Sequence, residues 1–146
     1  MDIAILADIS KSMELDEREY LINVVRSLID EIGVSEAGHH FGFATYAVNA
    51  TLHSNFSNPY YYNADNLKKT VRKQVNFEPE LSATRTDLAM KLVLTELFSS
   101  NGGDRPNAKN ILIIITDGNP VHIDTEWDDR PRIQLETFLE PLKVTI

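Results

Sequence analysis

The sequence predicts an α/β fold: an open, mostly parallel, doubly wound sheet with one antiparallel edge strand and helices on both faces. Three observations carry that expectation. Residues 3–7 and 111–115 are short, wholly apolar runs. Such runs read as strands covered on both faces, as the centre of a parallel sheet requires. Segments with apolar residues at helical spacing alternate with the strands, the pattern of strand–helix crossovers. Residues 41–47 and 48–53 read as two strands joined by a short turn near Asn49. A parallel return needs a long crossover, so this pair must be antiparallel.

Composition bounds the function classes. The chain has 146 residues, 42% apolar and 25% charged, enough for a single domain over 1–146 with a real core. Its formal net charge is -8 and it has no Lys/Arg cluster, which argues against nucleic acid as a partner. There is no cysteine, hence no disulfide, thiolate ligand or thiol nucleophile. No apolar run approaches the length of a membrane span. The chain opens directly on a core strand, which reads as the absence of a signal peptide.

In chain order, residues 3–7 form the first strand and lead into Asp8. Residues 14–32 form a helix, with Leu15, Leu21, Ile22, Val25, Leu28, Ile29 and Ile32 at helical spacing. Acids crowd its start, as the helix dipole favours, and Gly33 is placed to cap its end. The antiparallel pair follows. Residues 55–62 form a loop, where the run Tyr60-Tyr61-Tyr62 reads as packing that loop onto the core. Residues 66–75 form a short basic helix with Leu67, Val71 and Val75 on one face. After the polar loop 81–86 comes a helix carrying Leu88, Ala89, Leu92, Val93, Leu94, Leu97 and Phe98. Residues 99–107 form a surface loop. The next strand, 110–115, has five consecutive aliphatics of which four are β-branched, the mark of a central strand. A polar loop 119–131, a short helix 132–139 and a strand beginning at Val144 complete the reading.

The chemistry gathers where the two apolar strands end. Asp8-Ile9-Ser10-Lys11-Ser12 places three oxygen side chains at alternate positions, which point the same way in extended backbone. They can converge on a hard cation, or they can form a polar turn that caps the next helix. The strand 110–115 also ends in an aspartate, Asp117. In open α/β sheets, ligands bind beyond the carboxyl ends of the strands where strand order reverses. Two buried strands that both end in carboxylates favour the cation.

Asp8-x-Ser10-x-Ser12, then Ala83-Thr84-Arg85-Thr86 opening a helix, then Ile115-Thr116-Asp117-Gly118 together resemble the von Willebrand factor A domain. The integrin inserted domain and collagen-associated A domains belong to that family. The segments stand in the family's order, and the resemblance covers essentially the whole chain. It implies a metal-ion-dependent adhesion site (MIDAS) in which Asp8, Ser10, Ser12, Thr84 and Asp117 hold Mg²⁺ or Mn²⁺. Three neutral hydroxyls and two carboxylates leave a dication electrophilic, and an open position would draw a Glu or Asp of a protein partner. Thr86 reads as a supporting residue that caps the helix it opens and hydrogen-bonds behind the ligands, with direct ligation as the alternative. The implied function is a non-enzymatic, extracellular adhesion module.

The sequence departs from the family in three places. Lys11 stands where a small residue is common, and Ser82-Ala83 replace glycines before the threonine. The family continues past the strand at Val144 with a further strand and a C-terminal helix, so the resemblance implies a domain without them.

Other features carry less. His39, His40 and His122 do not have the spacing of a zinc site. Asn49-Ala50-Thr51 and Asn55-Phe56-Ser57 are glycosylation sequons, which bear on a secreted chain. Glu126, Asp128 and Asp129 read as a solvated loop, with a second cation site or a specificity rim as the alternative. Two competing functions stay open. One is an intracellular A domain serving as a scaffold. The other is a metal-dependent phosphohydrolase with Asp8 as nucleophile, although Ser10 is a poor general acid for it.

Overall fold

The computed structural model describes residues 1–10, 14–77 and 85–116. Strands β1 (Asp2–Asp8), β2 (His40–Tyr46), β3 (Ala50–Ser54) and β4 (Asn110–Ile115) form one sheet in the order β3-β2-β1-β4. β1 pairs in parallel with both β2 and β4, and β2 pairs antiparallel with β3. The expected architecture is thus observed, antiparallel edge strand included. The expected helix 132–139 and the strand from Val144 lie outside the described residues.

Alternation along the strands divides the core in two. Ile3, Ile5 and Ala7 of β1, Phe41 and Phe43 of β2, and Ile111, Ile113 and Ile115 of β4 face one side. Helices α1 (Leu15–Ile32) and α2 (Ala64–Val75) cover that side with Leu21, Ile22, Val25, Ile29, Leu67, Val71 and Val75. Ala4, Leu6, Ala44, Tyr46 and Leu112 face the other side, under Ala89 of α3 (Thr86–Leu92) and Val93 and Leu97 of the turn that follows it. β1 is buried along its whole length because it has a strand on each edge and helices over each face.

Local chemistry sets the ends of the elements. Glu14 caps α1, and Glu17 reaches back to accept its amide at 2.8 Å. Gly33 ends α1 at φ +80, donating its amide to the Ile29 carbonyl, as glycine readily does there. α2 begins two residues earlier than expected, because Asn63 caps it by accepting the Asn66 amide at 3.1 Å. β3 starts at Ala50 rather than at residue 48, since Ala47 to Asn49 close the hairpin turn through an amide–carbonyl bond of 3.0 Å.

The expected single helix after residue 86 is instead α3 followed by a π-helical turn, Val93–Leu97. Phe98 donates to the Val93 carbonyl, and the Thr95 hydroxyl takes the Lys91 carbonyl, a side-chain bond of the kind that bends helices. Leu97 is thereby brought against β2 at Gly42, where a Cβ would stand 2.5 Å from its side chain. Of the tyrosine run, Tyr61 and Tyr62 do pack the loop down, donating to the carbonyls of His53 and Phe56. Tyr62 also stacks on His40 at 4.3 Å, while Tyr60 is exposed.

The topology reverses at β1. The chain moves from β1 outward to β2 and β3, then crosses back to lay β4 on the other side of β1. The crevice of such a sheet opens at the carboxyl ends of β1 and β4.

Candidate metal centre

Asp8 is the last residue of β1 and is completely buried. It stands beside Tyr46 in the β1–β2 register, and its side chain shares the α3 side of the sheet with Ala4 and Leu6. One carboxylate oxygen accepts the Ser10 amide at 2.8 Å, and the other accepts the Thr116 hydroxyl at 2.9 Å. The first contact is an Asx-type turn that folds the chain back over the strand end. The second joins β1 to the residue just past β4, so the two strands flanking the reversal meet through this carboxylate.

Ser10 is likewise fully buried. Neither Asp8 nor Ser10 caps α1, a role that falls to Glu14. The helix-cap alternative for these two residues is therefore set aside.

On the far side of β2, the Arg85 amide donates to the Ala47 carbonyl at 2.7 Å. This bond ties the start of α3 to the carboxyl end of the sheet. Thr86 is the first residue of α3 and not its cap; the cap position is Arg85, without a side-chain capping bond. The Thr86 hydroxyl instead donates to the Tyr46 hydroxyl at 3.4 Å. The expectation of helix capping by Thr86 is corrected accordingly. The chain enters α3 one residue earlier than a capping threonine would require. Arg85 grips the buried Asp87 with two bonds, of 2.9 and 2.7 Å.

The structure thus brings Asp8, Ser10, Thr116, Tyr46 and Thr86 to the carboxyl end of the sheet. Ser12, Thr84 and Asp117 lie outside the described residues, as do Lys11, Ser82, Ala83, His122 and the acids Glu126, Asp128 and Asp129. Among the described residues no three His, Cys, Asp or Glu side chains are grouped to hold a metal. His40 directs Nε2 at the Glu36 carbonyl, and His53 pairs with the Thr45 hydroxyl.

Two residues at this end escaped sequence reasoning. Thr116 lies within the Ile115-Thr116-Asp117-Gly118 segment, yet its contact with Asp8 depends on strand register. Arg18 sits on α1 with no motif around it. It is nonetheless buried, and its guanidinium donates to the carbonyls of Ile9, Ser10, Val75 and Phe77.

Fold and site together define a doubly wound α/β domain whose oxygen-rich strand ends meet at the topological reversal. The chain belongs to the von Willebrand factor type A domain family, whose model matches residues 2–133. Matrilin-3 of Gallus gallus is 28% identical over 123 residues, covering 82% of this chain and 26% of its own length. Matrilin-1 of Homo sapiens is 26% identical over 117 residues, covering 80% and 23%. The chain therefore spans about a quarter of these relatives. Among solved structures, proximal thread matrix protein 1 from the mussel byssus superposes with a TM-score of 0.75 at 20% identity. The match covers 99% of this chain and 36% of that one. A second structure of that protein, with a zinc-occupied MIDAS motif, superposes at 0.74 and 19% identity. Among the described residues, no helix is long and apolar enough to cross a membrane.

Proposed function

We propose that this chain is a divalent-cation-dependent protein-binding module working outside the cell. In this reading Asp8, Ser10, Ser12, Thr84 and Asp117 hold Mg²⁺ or Mn²⁺, and the partner contributes a Glu or Asp side chain. Asp8 is the observation that carries it. Its carboxylate is fully buried and held by a backbone amide and a neutral hydroxyl, and none of the ion pairs among the described residues includes it. Taking an ionised carboxylate out of water costs several kcal/mol unless a charge compensates it. A carboxylate offers about four lone-pair positions, and neutral donors use two here. A hard cation at the strand end suits the remainder, because every proposed ligand is an oxygen.

When bound, such an ion supplies an electrophile for one anionic oxygen. The residues of the chain prepare its place. The Ser10 amide and the Thr116 hydroxyl fix the plane of the Asp8 carboxylate, as outer partners of metal ligands commonly do. The bond between Arg85 and Ala47 anchors the helix that follows Thr84. Family membership supports the reading. So do the zinc-occupied MIDAS motif of the byssus thread matrix protein and the likeness to the matrilins.

Capture of candidate partners with the immobilised chain tests the mechanism. Binding should persist in high NaCl with Mg²⁺ present and vanish with chelator in low NaCl, since exposed charge pairs are screened by salt. A complex that survives chelation and dissolves in salt overturns the proposal. Compartment has its own test at Asn49, which is exposed in the hairpin turn, and at Asn55, whose side chain holds the Ser57 amide and hydroxyl. Material from a natural source should carry an N-glycan at one or both. Two bare asparagines would favour an intracellular scaffold.

A further inference from the structure

α1 buries four aliphatic residues and one arginine. Arg18 is 4% exposed, and burying a guanidinium requires that its donors be used. Nη2 donates to the carbonyls of Ile9 at 2.8 Å and Ser10 at 3.1 Å. Nη1 donates to those of Val75 at 2.6 Å and Phe77 at 3.3 Å. These carbonyls come from two segments far apart in sequence. One is the turn that carries Asp8 and Ser10. The other is the end of α2, where helix carbonyls lack intrahelical partners and the dipole is negative.

We infer that Arg18 is a positioning residue for the cation site, fastening the turn that carries Asp8 and Ser10 to the exit of α2 through one buried fork. The inference rests on the reading of the site given above. A planar guanidinium can address two carbonyls on each side at once, whereas a lysine ammonium is a point charge on a flexible stem. Held this way, the Asp8–Ser10 turn and the exit of α2 meet in a fixed relation, and less ordering is left for metal binding to impose. Nothing in the sequence marks the residue, because its role depends on a contact across 57 positions of chain.

The test compares Arg18→Lys and Arg18→Met with Arg105→Lys, all in the 146-residue chain. Arg105 is the control: it binds a buried carboxylate, that of Asp2, at the opposite end of β1. Mn²⁺ is titrated calorimetrically well below each variant's melting temperature. The Arg18 variants should bind Mn²⁺ about tenfold to a hundredfold more weakly than the wild type, the usual effect of losing a partner behind a metal ligand. Arg105→Lys should lose stability and keep its Mn²⁺ affinity. Unchanged affinity in folded Arg18→Lys and Arg18→Met overturns the inference and leaves the cation site standing. An equal loss in Arg105→Lys also overturns it, because the effect would then follow stability alone. A wild type that binds no Mn²⁺ removes the site itself, and the inference with it. Should neither Arg18 variant fold, amide exchange in the wild type decides. Mn²⁺ should slow the Ser10 and Phe77 amides together, and a Phe77 amide that does not respond overturns the coupling.

Discussion

Asp2 and Asp8 stand at the two ends of β1, and neither has any exposed surface. At the amino end, Arg105 answers Asp2 in full. Its Nε donates to one carboxylate oxygen at 2.8 Å and its backbone amide to the other at 2.8 Å, with a further bond to the Met1 carbonyl. At the carboxyl end, Asp8 receives an amide and a hydroxyl, while the buried arginine nearby gives its donors to carbonyls. Residue type, strand and burial are the same at both ends. What differs, among the described residues, is whether a cationic side chain binds the carboxylate. A closed ion pair fastens the bottom of the sheet. A carboxylate balanced by neutral donors remains able to take a cation.

The largest effect is expected at Asp8. Asp8→Ala should remove measurable Mg²⁺ or Mn²⁺ binding and keep the far-ultraviolet circular dichroism of the wild type. Calorimetric titration checks this, and retained affinity would place the metal elsewhere. At the other end the loss should be one of stability. Asp2→Ala leaves Arg105 without its partner, and breaking a buried pair costs about 3–5 kcal/mol. A cost of about 3 kcal/mol is expected, at the low end of that range, because the Arg105 side chain is 33% exposed and can rehydrate. Urea unfolding measures it, and Mn²⁺ affinity of the folded variant should not change.

Thr116→Val acts on Asp8 more gently, since it removes one neutral donor and keeps the shape. A lost hydrogen bond to a charged group is worth about 1.5–3 kcal/mol. Metal affinity should fall about tenfold, in line with other partners of metal ligands. If stability falls with no change in affinity, the hydroxyl serves the fold alone.

The smallest effect lies away from both ends of β1, on the edge strand β3. Burial pushes the pKa of His53 down to about 4. The unfolded chain takes up this proton near pH 6.5, the folded chain only near 4. Stability from this residue is therefore full above about pH 6.5 and is lost as the pH falls towards 4. The ring is half-buried, so solvent screening holds the contribution to about 1 kcal/mol. His53→Asn should flatten the slope of stability between pH 6.5 and 4. An unchanged slope would move the acid sensitivity to groups other than His53.

Much of the fold was legible in the chain. Strand β1 could be read because apolar residues fill both of its faces, and β4 because four isoleucines crowd one short run. The hairpin followed from a turn too short for a crossover. Boundaries slipped where a single side chain set them. Asn63 starts α2 two residues early, and Thr95 stands in the middle of the π-helical turn after α3. Both effects are hydrogen bonds to one amide or carbonyl, too local to leave a periodic signal. At the site, Asp8 and Ser10 could be singled out by their alternation after a buried strand. Thr116 could not be joined to Asp8, nor Arg18 to Val75, since those contacts exist only once β4 lies beside β1 and α2 beside α1.

By itself, then, the sequence determined the fold class, the split into strands and helices, and the oxygen side chains that end the first central strand. Side-chain periodicity and residue type carry that information locally. Among the described residues, only the packing of the whole domain sets Asp2 against an arginine and Asp8 against an amide and a hydroxyl. Asp2 and Asp8 are the same residue on the same strand, and each could have met an arginine. The field at each depends on what the sheet and helices bring within about 3 Å of it, and that distance is set by packing across the whole domain.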